Sequence, residues 1–528
     1  MKKLIIIILA LFSMFSCYED HSSLNTKLIS PINIDLGITD PSWDPSRPIQ
    51  YTLFTLDTLR INPIVYREGI EDSQLKYTWT IEGNLIEPQI LGTNMTLEVP
   101  ITLGAQSNAY KLIFDVEDLT TGIHAEQLFD INVQTPFGSG LLVCDTKDNG
   151  TSSDVSLIMG YNFTNGLSKE QTKISKDLFQ KMNGTKFEGQ VNHCQSKKYQ
   201  NNGSVTFCCD NQIYRTDPLD FTMLDKNEEM FIFAPKNFHV TAQGFESQRG
   251  NEYIVMDGLI YPRPMQQNNK KYLHYWVSGD MSKYICSHFA FPQWVNGLAF
   301  DSEKGRFLEV DGGKSRLVIL NSAELCDKNS PFDPNQLKDY ECISFMPDGE
   351  QYFWGIVKEK SNSKMYALVM QQGMYPNGKI NGKPLRKIDL SACTNIKDAV
   401  FYACAPNADV FWYATKDQIY SVYYATDNLI VTPEYTVNPG DQITAMMLWN
   451  ENQGKVDYTN PVPTASDKII STYNESRMLV IATENNGIGT IRTIAVANVL
   501  RGSLEQDRTI HGEYSDNFGK ITAIALHK

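Results

Sequence analysis

Paired metal-ligand motifs are missing from this sequence. No CxxC occurs and the eight histidines are scattered, so spacing assembles no zinc site. HExxH, GxSxG and an EF-hand loop are also absent, and the carboxylates form no spaced pair that stands out from a solvated surface. Positive charge is in deficit: 47 Lys and Arg face 61 Asp and Glu, a formal net charge of −14, which argues against nucleic acid as a partner. Long helical patterns are scarce. After the N-terminus no apolar run approaches the length of roughly 20 residues that a membrane-spanning helix needs. A catalytic centre assembled from residues distant in sequence would escape such a search. No enzyme, metal or cofactor is expected. A surface polysaccharide hydrolase or lyase on the same scaffold stays open as the alternative.

What is present begins at the N-terminus. Lys2 and Lys3 precede a nine-residue apolar run, Leu4 to Phe12, in the layout of a secretory signal. "MFSCYED" follows, with the small residue Ser16 directly before Cys17. This resembles a bacterial lipobox in the looser form of Bacteroidetes-type lipoproteins. The resemblance implies cleavage after residue 16, acylation of Cys17, and an outer-membrane lipid anchor. It also implies that Glu19 and Asp20 act as the signal for export to the cell exterior. An anchor of two or more acyl chains is stable where one is marginal. Residues 17–35 read as the tether.

At 528 residues the chain is too long for one ordinary core. Tyr and Phe are abundant (26 and 25), which favours strands. Nine cysteines lie downstream of Cys17, an odd number, and buried free thiols are expected. Over 36–136, alternating runs are separated by turn signals. Tyr110, Leu112, Phe114 and Val116 make one apolar face, Phe129, Ile131 and Val133 another, and Met95, Leu97 and Val99 a third. Trp79 in "YTWTI" is placed at the centre of the core. These features predict an immunoglobulin-like sandwich. "YKLIFDVED" at 110–118 resembles the late strand of PKD domains, with Tyr110 as the corner residue. The region after Trp79 departs from the family, reading Thr80-Ile81-Glu82-Gly83-Asn84. Such domains serve as spacers or interaction modules.

Residues 137–528 repeat. "DNQIY" at 210, "DGLIY" at 257 and "KDQIY" at 416 each follow an apolar strand and read as hairpins. "VNGLAF" at 295, "ITAMML" at 443 and "ITAIAL" at 521 read as inner strands beside a central channel. This predicts a β-propeller, with inner strands starting near 190, 238, 295, 340, 398, 443 and 521. The first hairpin lacks an inner strand before it and the last inner strand lacks a hairpin after it. Residues 520–528 are therefore expected to close the ring on 140–159. Seven blades are favoured, with six and eight open.

Binding features are few. "KKYLHYW" at 270–276 makes Tyr272, Tyr275 and Trp276 candidate contacts for an oligosaccharide or peptide. The same residues also suit a packed blade strand. "GGKS" at 312–315 resembles the end of a phosphate loop, but Leu308 stands where the first glycine belongs, and a hairpin turn between second and third strands explains it better. The polar stretch 450–468 is a candidate arm for a partner. The overall plan resembles accessory lipoproteins of SusC/SusD-type nutrient importers. That implies a TonB-dependent SusC-like transporter and a SusD-like lipoprotein as partners, with this chain capturing glycan or peptide or aiding assembly.

Overall fold

The computed structural model describes residues 29–37, 48–54, 57–83, 86–104, 108–134, 136–164, 167, 169–199, 202–265, 271–278, 283–292, 296–348, 351–373, 381–406, 408–426, 428–449, 477–508 and 511–527. The chain divides into two compact units, with the boundary between Pro136 and Phe137. Both are built almost entirely of strands.

In the first unit, five strands form one sheet in the order Ile49–Phe54, Ile123–Gln134, Tyr110–Asp118, Leu75–Gly83 and Ile86–Gly92. Two strand pairs accompany it, Thr58–Ile61 with Leu97–Pro100 and Asn33–Asp35 with Ile64–Tyr66. Period-two alternation sends Tyr110, Leu112, Phe114, Val116, Phe129, Ile131 and Val133 into one core with Leu59, Ile61 and Leu97. Trp79 is fully buried at its centre, stacked on Phe114 at 4.0 Å, and its indole N–H donates to the Asn94 carbonyl at 2.8 Å. The Tyr110 hydroxyl donates to the Gly104 carbonyl at 2.7 Å, six residues upstream, as a corner tyrosine does. Two boundaries differ from expectation. Ile32 belongs to the core and Asn33–Asp35 is a strand, so the tether cannot extend to residue 35. Met95 lies in the turn before its strand and is only partly buried.

Among the described residues, the second unit holds seven antiparallel sheets. Their inner strands are Lys520–His527, Val191–Tyr199, Val240–Glu246, Cys286–Ala290, Tyr340–Pro347, Phe401–Cys404 and Gln442–Leu448. Each packs on the next, and the last packs back on the first, so the sheets form a closed ring. The C-terminal strand pairs antiparallel with Gly140–Thr146, for example Leu142 opposite Ala525. The fold is an all-β propeller, preceded by the sandwich.

Local chemistry explains the hairpins. Asp257 and Gly258 both have positive φ, 49° and 74°, as a two-residue turn matching the strand twist requires. One inner strand differs from expectation. "VNGLAF" supplies Gly297–Asp301, the second strand of the fourth sheet, and Cys286–Ala290 lies inside it. "GGKS" accordingly joins the third and fourth strands of that sheet, Arg306–Asp311 and Arg316–Ile319.

Candidate functional site

Among the described residues the third sheet has three strands, ending at Leu259–Pro264. The segment 271–278 covers that open edge. The Tyr275 N–H donates to the Ile260 carbonyl at 2.9 Å, and Tyr272 exchanges backbone bonds with Met230 and Ile232. It then bonds the outer strand of the fourth sheet, where the Leu317 N–H donates to the Trp276 carbonyl at 3.1 Å and the Ser278 N–H to the Leu317 carbonyl at 2.8 Å. The segment is thus fixed between two sheets, and its alternation decides which side chains are accessible.

Tyr272 is fully buried, with the Arg263 guanidinium 5.8 Å from its ring centroid. Arg263 is itself buried and bonds Glu252 at 2.6 and 3.1 Å. Burial works most strongly against the Glu252 charge, but the Arg263 charge and hydrogen bonding to the carboxylate together hold the carboxyl below its usual range. Tyr275 is also buried, its ring 6.3 Å from Tyr253, and burial raises its hydroxyl pKa. Neither tyrosine presents a free aromatic face. Trp276 does, with 52% of its surface exposed. Of the three aromatics, Trp276 alone is exposed and the two tyrosines are packed inside.

Trp276 opens onto a cleft of about 770 Å³. Strands run alternately up and down, so the turn between the first and second strands of one sheet lies on the same face as the turn between third and fourth. The cleft uses one of each: Arg249 comes from the first kind in the third sheet, and Gly312–Arg316 is the second kind in the fourth. Gly312 is required by close approach. A Cβ there would lie 2.4 Å from Glu246 Oε2 and 2.7 Å from the Tyr253 hydroxyl. That carboxylate is buried and accepts from Asn251 at 2.9 Å, from Tyr253 at 3.0 Å, and from Arg249. Arg249 also donates to Asn296 Oδ1 at 3.1 Å. Arg316 donates to Ser278 Oγ at 3.0 Å, and its Nε and the Lys314 ammonium both lie 3.9 Å from Asp311. The structure therefore joins two stretches that sequence reading kept apart, "KKYLHYW" and "GGKS". Arg249 and Arg316 went unnoticed, because only the blade register shows that their turns share a face.

A second cavity, about 390 Å³, lies at the channel mouth among inner strands and includes Phe291, Met346, Met446 and Ile524. It offers fewer charged groups than the cleft. Burial raises the carboxyls of Asp145 and Asp225, and further raises two others, Asp154 to about 6 and Asp348 to about 7. Asp145 accepts the Gly519 N–H and Asp225 pairs with Arg215. The other two hold local backbone. Asp154 accepts the N–H groups of Val155, Phe179 and Gln180, and Asp348 those of Gln351 and Tyr352. Among the described residues no cluster of three His, Cys, Asp or Glu is arranged to hold a metal. The nine cysteines from Cys144 to Cys404 are free, and seven are buried. Cys17, Glu19, Asp20 and the 450–468 stretch lie outside the described residues.

Residues 17–190 match the PKD-like family. The match spans the sandwich and continues into the first sheet and the short helix Leu178–Asn183 of the ring. Among solved structures, the chain is similar to a quinonprotein alcohol dehydrogenase-like protein from Bacteroides thetaiotaomicron. The identity is 11% and the TM-score 0.42, over 95% of this chain and 100% of that one. It is also similar to the WD40 domain of SCAP from fission yeast, at 7% identity and a TM-score of 0.29, over 58% of this chain and 64% of that one. These likenesses say nothing of what this chain binds or does. No curated protein matches it.

Proposed function

We propose that this chain is a non-catalytic cell-surface lipoprotein, anchored through Cys17, that captures glycan or peptide for an outer-membrane nutrient importer. The observation that carries this reading is the cleft: one exposed indole, Trp276, edge-on to His274 and surrounded by side chains fixed by hydrogen bonds. A rigid aromatic platform with a few oriented polar groups is what a binding site needs. The raised carboxyls of Asp154 and Asp348 serve as backbone acceptors, which favours binding over catalysis. The partners in this reading are a SusC-like TonB-dependent transporter and a SusD-like lipoprotein. Support for them is the signal, the PKD-like match and the propeller together.

Affinity purification of the full-length chain from native membranes in mild detergent tests it. The expected result is recovery of a transporter barrel and its lid lipoprotein, weakened by deletion of residues 450–468. Recovery of no membrane partner would remove the importer reading. Turnover of any polysaccharide by the purified chain would put the hydrolase or lyase alternative in its place.

A further inference from the structure

We infer that the Trp276 cleft takes an acidic saccharide, one bearing carboxylate or sulfate groups; this rests on the reading of the cleft as a binding site. Charge is the first argument. Arg249, Lys271, Lys314 and Arg316 line the cleft, and among the described residues no Asp or Glu does. In a chain of net charge −14, such a concentration of one sign runs against the general surface. Glu246 and Asp311 stand behind the wall, one on Arg249 and the other beside Lys314 and Arg316. Four cations against two carboxylates leave the site net positive. The carboxylates also hold the guanidinium groups in place before any ligand arrives, which lowers the ordering cost of binding. Arginine forks suit carboxylate and sulfate oxygens geometrically.

Shape is the second argument, and it separates a sugar from an acidic peptide. A peptide commonly binds by adding a strand to an exposed sheet edge. Here the outer edges of the third and fourth sheets are already occupied by the 271–278 backbone through Ile260 and Leu317. The cleft presents side chains, with the Trp276 face beside Ile232, which is 55% exposed. An indole face against sugar C–H groups, with cations placed for the acidic substituents, uses every one of these features. A long polyanion such as nucleic acid would instead meet the net negative charge of the rest of the chain.

The test is calorimetric titration of the mature chain with oligogalacturonate, a chondroitin sulfate oligosaccharide, neutral malto- and cello-oligosaccharides, and polyglutamate. Expected is binding of at least one acidic saccharide about tenfold tighter than either neutral one, and weaker as salt is raised. Trp276→Ala should reduce that affinity about tenfold or more. Lys271→Glu and Lys314→Glu, both at the exposed rim where folding is not at risk, should each reduce it several-fold. Equal, salt-insensitive binding of neutral saccharides would overturn the acidic assignment while leaving glycan capture intact. Binding of polyglutamate alone would overturn the saccharide. Acidic-saccharide binding unmoved by Trp276→Ala and both lysine variants would place it elsewhere and sink the cleft assignment. No binding of any probe would overturn both this inference and the capture reading.

Discussion

Asp118 ends the "YKLIFDVED" strand, and its surroundings show why an acid stands there. It is fully buried, paired with Arg67, and accepts from the Thr120 N–H and from the Thr120 and Thr121 hydroxyls, each at 2.7 Å. One carboxylate thus neutralises a buried guanidinium and sets the turn that follows. Asp118→Ala would leave Arg67 buried and unpaired, so it is expected to destabilise the sandwich by about 3–5 kcal/mol. Thermal unfolding of the full chain, followed by tryptophan fluorescence and compared with the parent chain, checks this. His527 makes a second case. Burial pushes its pKa down to about 4, against the opposing pull of the Phe137 and Pro218 carbonyls. It bridges Ser196 Oγ at 2.8 Å and the Phe137 carbonyl at 3.1 Å as a neutral ring, beside Phe221. A depressed folded pKa means that the unfolded chain takes up the proton first as pH falls. The stabilisation is therefore full above about 6.5 and is lost toward pH 4, by up to about 3 kcal/mol. Buried Asp154 and Asp348 titrate with the opposite sign, so the measurement is a difference. The pH–stability curve of the native chain should drop relative to that of His527→Gln between pH 6.5 and 4, and parallel curves would refute the assignment.

The C-terminal strand Lys520–His527 is the element on which the ring depends. It pairs with Gly140–Thr146, buries Ile521 in a core with Phe163 and Trp449, and reaches the second sheet through Thr522 Oγ1, which donates to the Val191 carbonyl at 2.6 Å. Deleting 520–528 would expose the backbone edge of Gly140–Thr146 and remove the inner wall between two sheets. Aggregation or loss of cooperative unfolding is expected; a soluble truncation with an unchanged melting curve would contradict the closure. Element assignment also shows where pattern reading goes astray. Inner strands carry mixed burial, because one side borders the channel: Lys520–His527 starts exposed, then mixes buried Ile521, Ala523 and His527 with half-buried positions. Gly297–Asp301 is buried at every position, as suits a strand between neighbours on all sides. Both are short, apolar and rich in small residues, so "VNGLAF" and "ITAIAL" look alike in sequence although their neighbours differ.

At the scale of the whole molecule, the proposed lipid anchor would carry a ring of sheets with a cationic, aromatic cleft. The anchor is tested by fractionation. Cys17→Ala is expected to move the protein into soluble fractions, and membrane retention of that variant would sink the anchor. Replacing Glu19 and Asp20 together by Ala should reduce protease accessibility on whole cells if they direct surface display; unchanged accessibility would reject that role.

Much of this molecule was legible in its sequence, because strand alternation, hairpin chemistry and a repeated module are local. Alternating apolar residues from Tyr110 to Val116, the Asp257-Gly258 turn, and the orphan half-blades at the two ends of 137–528 are all read within a few residues of themselves. The tertiary structure alone decided which aromatic is free. Tyr272 and Trp276 are four residues apart, yet one lies beside a buried Arg263–Glu252 pair and the other faces the cleft, because the sheets that precede and follow the segment clamp its backbone between them. The partnership of Arg249 with the Gly312–Arg316 turn is equally invisible in one dimension. Sixty-odd residues separate them, and only the register of neighbouring blades puts both turns on one face.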